Sequence, residues 1–230
     1  MLYLAIAFIS VTIFALVHLL SQKLFKLTPK AHASILSLGG GLAISYVFID
    51  LFPKLAIGDL VVQNTLPYLA RHVYVLALIG FLLFYIVDKG ESILNKKESF
   101  WLSLSSYALF NFFVGYAVTD KDNPEVRPLI LFTIALALHY FAIDYSLCKA
   151  HEKVYNAIGK WILIASLYFG WFLGTVVTLP AALVALVSAF IGGGVIMNVI
   201  RHELPGNTPH TMRTFIAASV LYTIILLAIG

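Results

Sequence analysis

Eight runs of nearly unbroken apolar residues divide the chain, at 2–20, 33–52, 72–87, 100–118, 129–147, 161–178, 181–200 and 214–229. Each is close to the roughly 20 residues that an α-helix needs to cross a bilayer. Gly, Ser and Tyr interrupt several of them, which suits helices that pack on one another more than on lipid. The polar residues gather in short connections. Residues 120–127 are the most loop-like stretch, and 178–180 leave so little chain that the sixth and seventh helices must form a tight hairpin. The pattern predicts an all-α polytopic membrane protein with eight transmembrane helices, built as a single membrane domain over residues 1–230.

Composition points the same way. Of 230 residues, 61% are hydrophobic and 11% charged, with a mean hydropathy of +0.95, whereas soluble domains carry about 25% charged residues. A surface so poor in polar groups calls for lipid as its solvent. The first run lacks a basic leader and a small-residue cleavage site, so it reads as a retained helix and not as a signal peptide. Cys148 is the single cysteine, which excludes an internal disulfide and CxxC zinc signatures. The sequence holds no P-loop, HExxH, nucleophile elbow or dinucleotide-binding loop.

Basic residues set the orientation of such a protein. The odd-numbered connections hold Lys23, Lys26, Lys30, Lys89, Lys96, Lys97, Lys149, Lys153, Lys160, Arg201 and Arg213, eleven in all. The even-numbered ones hold four, Lys54, Arg71, Lys121 and Arg127. The odd connections are therefore expected to be cytoplasmic, giving a multi-pass protein of the cell membrane with both termini extracytoplasmic. The net charge of +4 sits in these loops and serves orientation; it does not suggest a nucleic-acid partner.

The second and seventh runs echo each other. Gly39, Gly40 and Gly41 are followed by about two apolar turns, then Asp50 and Pro53; Gly192, Gly193 and Gly194 are followed by two similar turns, then Glu203 and Pro205. In the eight-helix count these helices run in opposite directions. The echo predicts an inverted 3+2+3 repeat, with helices 1–3 (2–88) and 6–8 (161–229) as its halves and helices 4 and 5 (100–147) between them. Transporters built this way bind their cargo near the midplane, where the repeats meet.

Ionisable groups inside a span are costly and mark functional sites by default. The fifth run buries His139 and Asp144, about 140° apart on an ideal helix, with Tyr140 four residues before Asp144 and on its face. The fourth run places Asn111 among aromatics, where it needs a partner. Asp50 stands near the outer end of the second run. Asn198 is mid-span in the seventh, with Arg201, His202 and Glu203 at its inner end as an interfacial charge cluster. His18, alone near the inner end of the first run, reads as a satisfied interface residue.

At these residues the chain resembles the ZIP (Zrt/Irt-like) family of divalent-metal transporters. The glycine-rich second and seventh helices, each ending near a proline, are similar to that family's. So are Asn111 and Gly115, at positions of its fourth-helix motif H-N-x-x-[DE]-G, and His139 and Asp144, at the first and last positions of its fifth-helix motif H-E-x-x-[HE]-E. The chain departs from these motifs at Phe110, Val114 and Tyr140. The resemblance implies eight spans, termini outside, the 3+2+3 arrangement, and Asn111, His139 and Asp144 as the surviving ligands of one weakened metal site between helices 4 and 5. Tyr140, Asp50, Asn198 and Glu203 are candidate supporting residues.

No catalytic residue and no resident cofactor are expected. Zinc, iron, manganese or cadmium would enter as substrate. The expected partners are the lipid bilayer, a divalent metal ion and a second copy in a homodimer. Two alternatives stand beside the transporter: a ZIP-fold protein that has lost metal transport and carries another substrate or acts as a membrane regulator or partner, and an intramembrane enzyme acting on lipid. Three convergent polar groups are few for an enzyme, so the chain reads as non-enzymatic.

Overall fold

The computed structural model describes residues 2–25, 28–65, 71–119, 124–205 and 208–229. These residues are all-helical, with no strand among them. The helices are α1 (Leu2–Phe25), α2 (Pro29–Tyr46), α3 (Phe52–Thr65), α4 (His72–Ile93), α5 (Lys96–Ala117), α6 (Val126–Val154), α7 (Lys160–Val176), α8 (Ala181–Asn198) and α9 (Pro209–Ile229). Single π-helical turns over Val47–Leu51, Tyr155–Gly159 and Val199–Glu203 join α2 to α3, join α6 to α7, and end α8. Six helical stretches are long and apolar enough to cross a membrane: Leu2–Ser21, Lys30–Thr65, His72–Gly90, Val126–Val176, Ala181–Glu203 and Pro209–Ala228. The chain thus has the character of a membrane protein. α5 follows the fourth apolar run and opens on Lys96, Lys97 and Glu98, with Asn95 capping its first turn through bonds from the Lys97 and Glu98 amides.

Several boundaries differ from those the apolar runs predict. The second helix continues through Pro53 to Thr65. Pro53 follows two residues after the π turn at 47–51, where the wider turn leaves room for a residue that cannot donate an N–H. The fifth and sixth runs form one 51-residue helical stretch, Val126–Val176, broken in its backbone only at His151 (φ −144°, ψ 48°) and widened by the following π turn. Residues 177–180 form the tight hairpin expected between α7 and α8. The loop predicted at 120–127 lies partly outside the described residues; α6 starts at Val126.

The most extensive helix–helix contacts are α4 with α8, α5 with α7, α2 with α9, and α1 with α6. Small residues permit this. A Cβ on Gly193 would collide with the Ala77 carbonyl of α4, and one on Gly80 with the Phe190 carbonyl of α8. The two helices therefore touch backbone to backbone, as helices in lipid do when packing must replace the hydrophobic effect. The common core runs through Phe14, Phe100, Phe110, Tyr140, Leu163 and Leu167, all at most 2% exposed. The polar groups described next are embedded in it.

Candidate functional site

Two histidine–carboxylate pairs are buried in the bundle, each with both side chains fully shielded from solvent. The first joins α1 to α6. His18 Nδ1 lies 2.9 Å from each carboxylate oxygen of Asp144. On the other side of the ring, His18 Nε2 lies 3.0 Å from Asn111 Oδ1 of α5. The Asn111 amide is oriented by its own Nδ2, which donates to the Tyr107 carbonyl at 2.8 Å. Its oxygen, an acceptor, must then face His18. Both ring nitrogens of His18 consequently face oxygen acceptors, the bonding pattern of an imidazolium, which donates from both. Its charge balances the Asp144 carboxylate, so this centre is neutral, fully bonded and closed.

The second pair joins α6 to the π turn after α8. His139 Nδ1 contacts Glu203 Oε1. This centre is incompletely bonded. His139 Nε2 and Glu203 Oε2 are buried without a hydrogen-bond partner among the described residues, as are the Tyr140 hydroxyl and Asn198 Nδ2. Orphaned buried polar atoms are rare in folded proteins, and each calls for an explanation such as an unseen water or ion. Glu203 owes its room to α2: a Cβ on Gly40 would stand 2.8 Å from both the Glu203 Cβ and its carbonyl oxygen, and one on Gly39 3.3 Å from Oε2. Asn198 accepts from Tyr107 at 3.4 Å.

A row of rings separates the centres. His18 and Tyr140 are 4.9 Å apart between centroids, Tyr140 and Phe110 6.1 Å, and Phe110 and His139 6.1 Å. Phe110 and Tyr140, both at positions where the chain departs from the ZIP motifs, form this partition.

His139 also lines a small cavity of about 30 Å³, with Tyr46, Leu51, Phe132 and Ile191 among its walls. The same four residues form the inner wall of a larger cavity of about 400 Å³, bordered by Lys54 and Glu125. One layer of apolar side chains thus stands between a sizeable vestibule and the chamber beside His139. Leu51 in that layer belongs to the π turn at 47–51 and fits against Gly192, where a Cβ would stand 2.5 Å from its Cδ2.

Asn111 and Asp144, expected with His139 as ligands of one site, each bond His18. His139 belongs to the other centre, in accord with the 140° between it and Asp144. Among the described residues no three His, Cys, Asp or Glu side chains gather as a metal-binding group. Two expectations need correction. His18 is satisfied, as expected, but it is fully buried and not interfacial: it is the hub of the first centre, 126 residues from Asp144 in sequence. Glu203 does not belong to an interfacial cluster; it is fully buried, while its neighbour Arg201 turns outward to pair with Asp88 of α4. Asp50 is 20% exposed and pairs with Lys54 at 2.7 Å. No protein-family model matches the chain, and a comparison with curated proteins finds no match either.

Proposed function

We propose that this protein is an integral membrane transporter of ZIP type that moves a divalent cation, with His139 and Glu203 as its buried ligand pair. The observation that carries the reading is the incompletely bonded His139–Glu203 pair, whose His139 lines a chamber one apolar layer from a vestibule. An imidazole and a carboxylate, both with free ligand atoms, suit zinc, iron or manganese.

The architecture we propose has eight spans, with α2 and α3 as one and α6 and α7 as two, in an inverted 3+2+3 repeat. Its support is in the pairings. Exchanging helix 1 with 6, 2 with 7, 3 with 8 and 4 with 5 turns the α2–α9 contact into the α8–α4 contact, and α1–α6 into α7–α5. Both glycine triplets lead to a π turn that ends two residues before a proline, Leu51 before Pro53 and Glu203 before Pro205. The basic residues then put both termini outside the cell membrane.

The test is uptake of Zn²⁺ and Mn²⁺ into proteoliposomes. Wild-type protein is expected to load them, and Glu203→Gln to fall to the level of protein-free vesicles. Wild-type uptake no greater than that background ends the reading. One observation favours a second reading, a ZIP-fold protein that no longer carries metal: Asn111 and Asp144 are already engaged by His18. Under it, wild type and Glu203→Gln would be equally silent.

A further inference from the structure

Four side chains line both the vestibule and the chamber beside His139: Tyr46, Leu51, Phe132 and Ile191. Of these, Tyr46 alone carries a polar group. It is the last residue of α2, and its ring centroid lies 5.5 Å from that of Phe132. The Tyr46 hydroxyl bonds the Asp50 carboxylate. Asp50 stands in the π turn and pairs with Lys54 at 2.7 Å, and Lys54 borders the vestibule. Side chains four residues apart are neighbours along a helix, so Tyr46, Asp50 and Lys54 form one strip from the apolar layer to the vestibule. Asp50 itself lines neither cavity. Its carboxylate bonds a ring of the layer on one side and an ammonium on the other, and is no part of the walls.

We propose that Tyr46 is the movable member of the barrier between vestibule and inner chamber, and that Asp50, held in place by Lys54, is the positioning residue that keeps it shut. The other three side chains are fixed by packing. Leu51 fills the gap left by Gly192, Phe132 lies between the rings of Phe14 and Tyr46, and Ile191 is buried. Tyr46 is only half-buried, and its place in the layer depends on one bond to a carboxylate. Such a charge-assisted bond is about twice as strong as a neutral one, which suffices to hold a ring, and breaking it leaves the packing of Leu51 and Ile191 intact. The inference rests on the transporter reading for the use of the barrier. Its test reads thiol reactivity and not uptake, so each can fail without the other.

The test uses full-length protein in detergent, with Val195→Cys in a Cys148→Ser background as reporter, since Val195 lines the inner chamber. The rate at which a small charged methanethiosulfonate reagent modifies this cysteine measures passage through the barrier. Tyr46→Phe keeps the ring and removes only the hydroxyl. It is expected to raise the rate about tenfold, the factor that losing one hydrogen bond to a charged group gives. Asp50→Ala should do the same although it alters no wall. The double variant should be no faster than the faster single one, because both remove the same bond. Tyr222→Phe is the control: its ring packs in one cluster with Tyr46, and its hydroxyl bonds the Leu131 carbonyl, so its rate should stay that of the parent. A Tyr46→Phe rate less than about threefold above the parent overturns the proposal. Equal acceleration by Tyr222→Phe overturns it too, as a general loosening of this corner, and so do single effects that multiply in the double variant. Should Asp50→Ala fail to fold, Tyr46→Phe against Tyr222→Phe decides.

Discussion

Replacing Asp144 by Asn changes one atom and disturbs the whole first centre. The substitution keeps the volume but removes the negative charge that His18 faces. An imidazolium left in a fully buried site without a counter-charge releases a proton. If Nδ1 keeps its hydrogen for the new amide oxygen, Nε2 becomes an acceptor facing Asn111 Oδ1, 3.0 Å away, also an acceptor. Asn111 can relieve the clash only by turning over, which forfeits its bond to the Tyr107 carbonyl. Removing one partner of a buried ion pair costs about 3–5 kcal/mol. For a chain of this size each kcal/mol lowers the melting temperature by about 2–4 °C, so a fall on the order of 10 °C is expected for the purified protein in detergent. His18→Gln alone should also destabilise, but the double variant should recover part of the loss, with a coupling of about 2 kcal/mol or more. The assay is thermal unfolding of the four proteins of this cycle. An Asp144→Asn protein within about 0.5 kcal/mol of wild type, the range of an ordinary surface change, would refute the ion-pair account of the centre.

Three further outcomes are expected. Gly193→Ala forces a methyl against the Ala77 carbonyl and should destabilise by about 1–3 kcal/mol, the usual cost of overpacking; unchanged thermal stability would contradict the backbone contact between α4 and α8. Leu51→Ala thins the layer between the two cavities. In a Cys148→Ser background, a cysteine at Ala43, beside the inner chamber, should then react faster with a small water-soluble thiol reagent, and an unchanged rate would remove Leu51 from the barrier. Cysteines introduced at Lys96 or Lys97 should be protected from membrane-impermeant reagent in intact cells and those at residues 120–127 labelled, the reverse pattern excluding termini outside the cell.

The helical character and most of the spanning stretches were legible because apolar runs of bilayer length need little tertiary information. The hairpin at 177–180 and the paired glycine triplets could be read for the same reason: short connections and missing side chains constrain the chain locally. His139 and Asp144 stood out as ionisable groups in apolar sequence, and their angular separation already placed them on different faces of one helix. Their partners were not legible. His18 is one polar residue on an otherwise apolar α1, and nothing local tells whether such a ring meets lipid, a carbonyl or a carboxylate. Glu203 beside Arg201 and His202 resembles a solvated helix end. Arg201 and Glu203 already stand on opposite faces at 100° per residue, but nothing local tells which of the two faces the bundle. Pro53 resembled a helix end because a regular α-helix carries no proline in its interior, and the π turn before it was not visible in composition.

A single π turn is an α-helix that has taken in one extra residue. The turns at 47–51 and 199–203 are therefore places where the chain's length can change without redesigning what lies on either side. Losing one residue from 47–51 would let the wide turn relax to α geometry, with α2 still facing α9 and α3 still facing α8. The same loss a few positions earlier, among the glycines that make room for Glu203, would rotate every later side chain by about 100° and carry Leu51 out of its place against Gly192. Insertions and deletions accepted over descent should thus cluster within these two short windows.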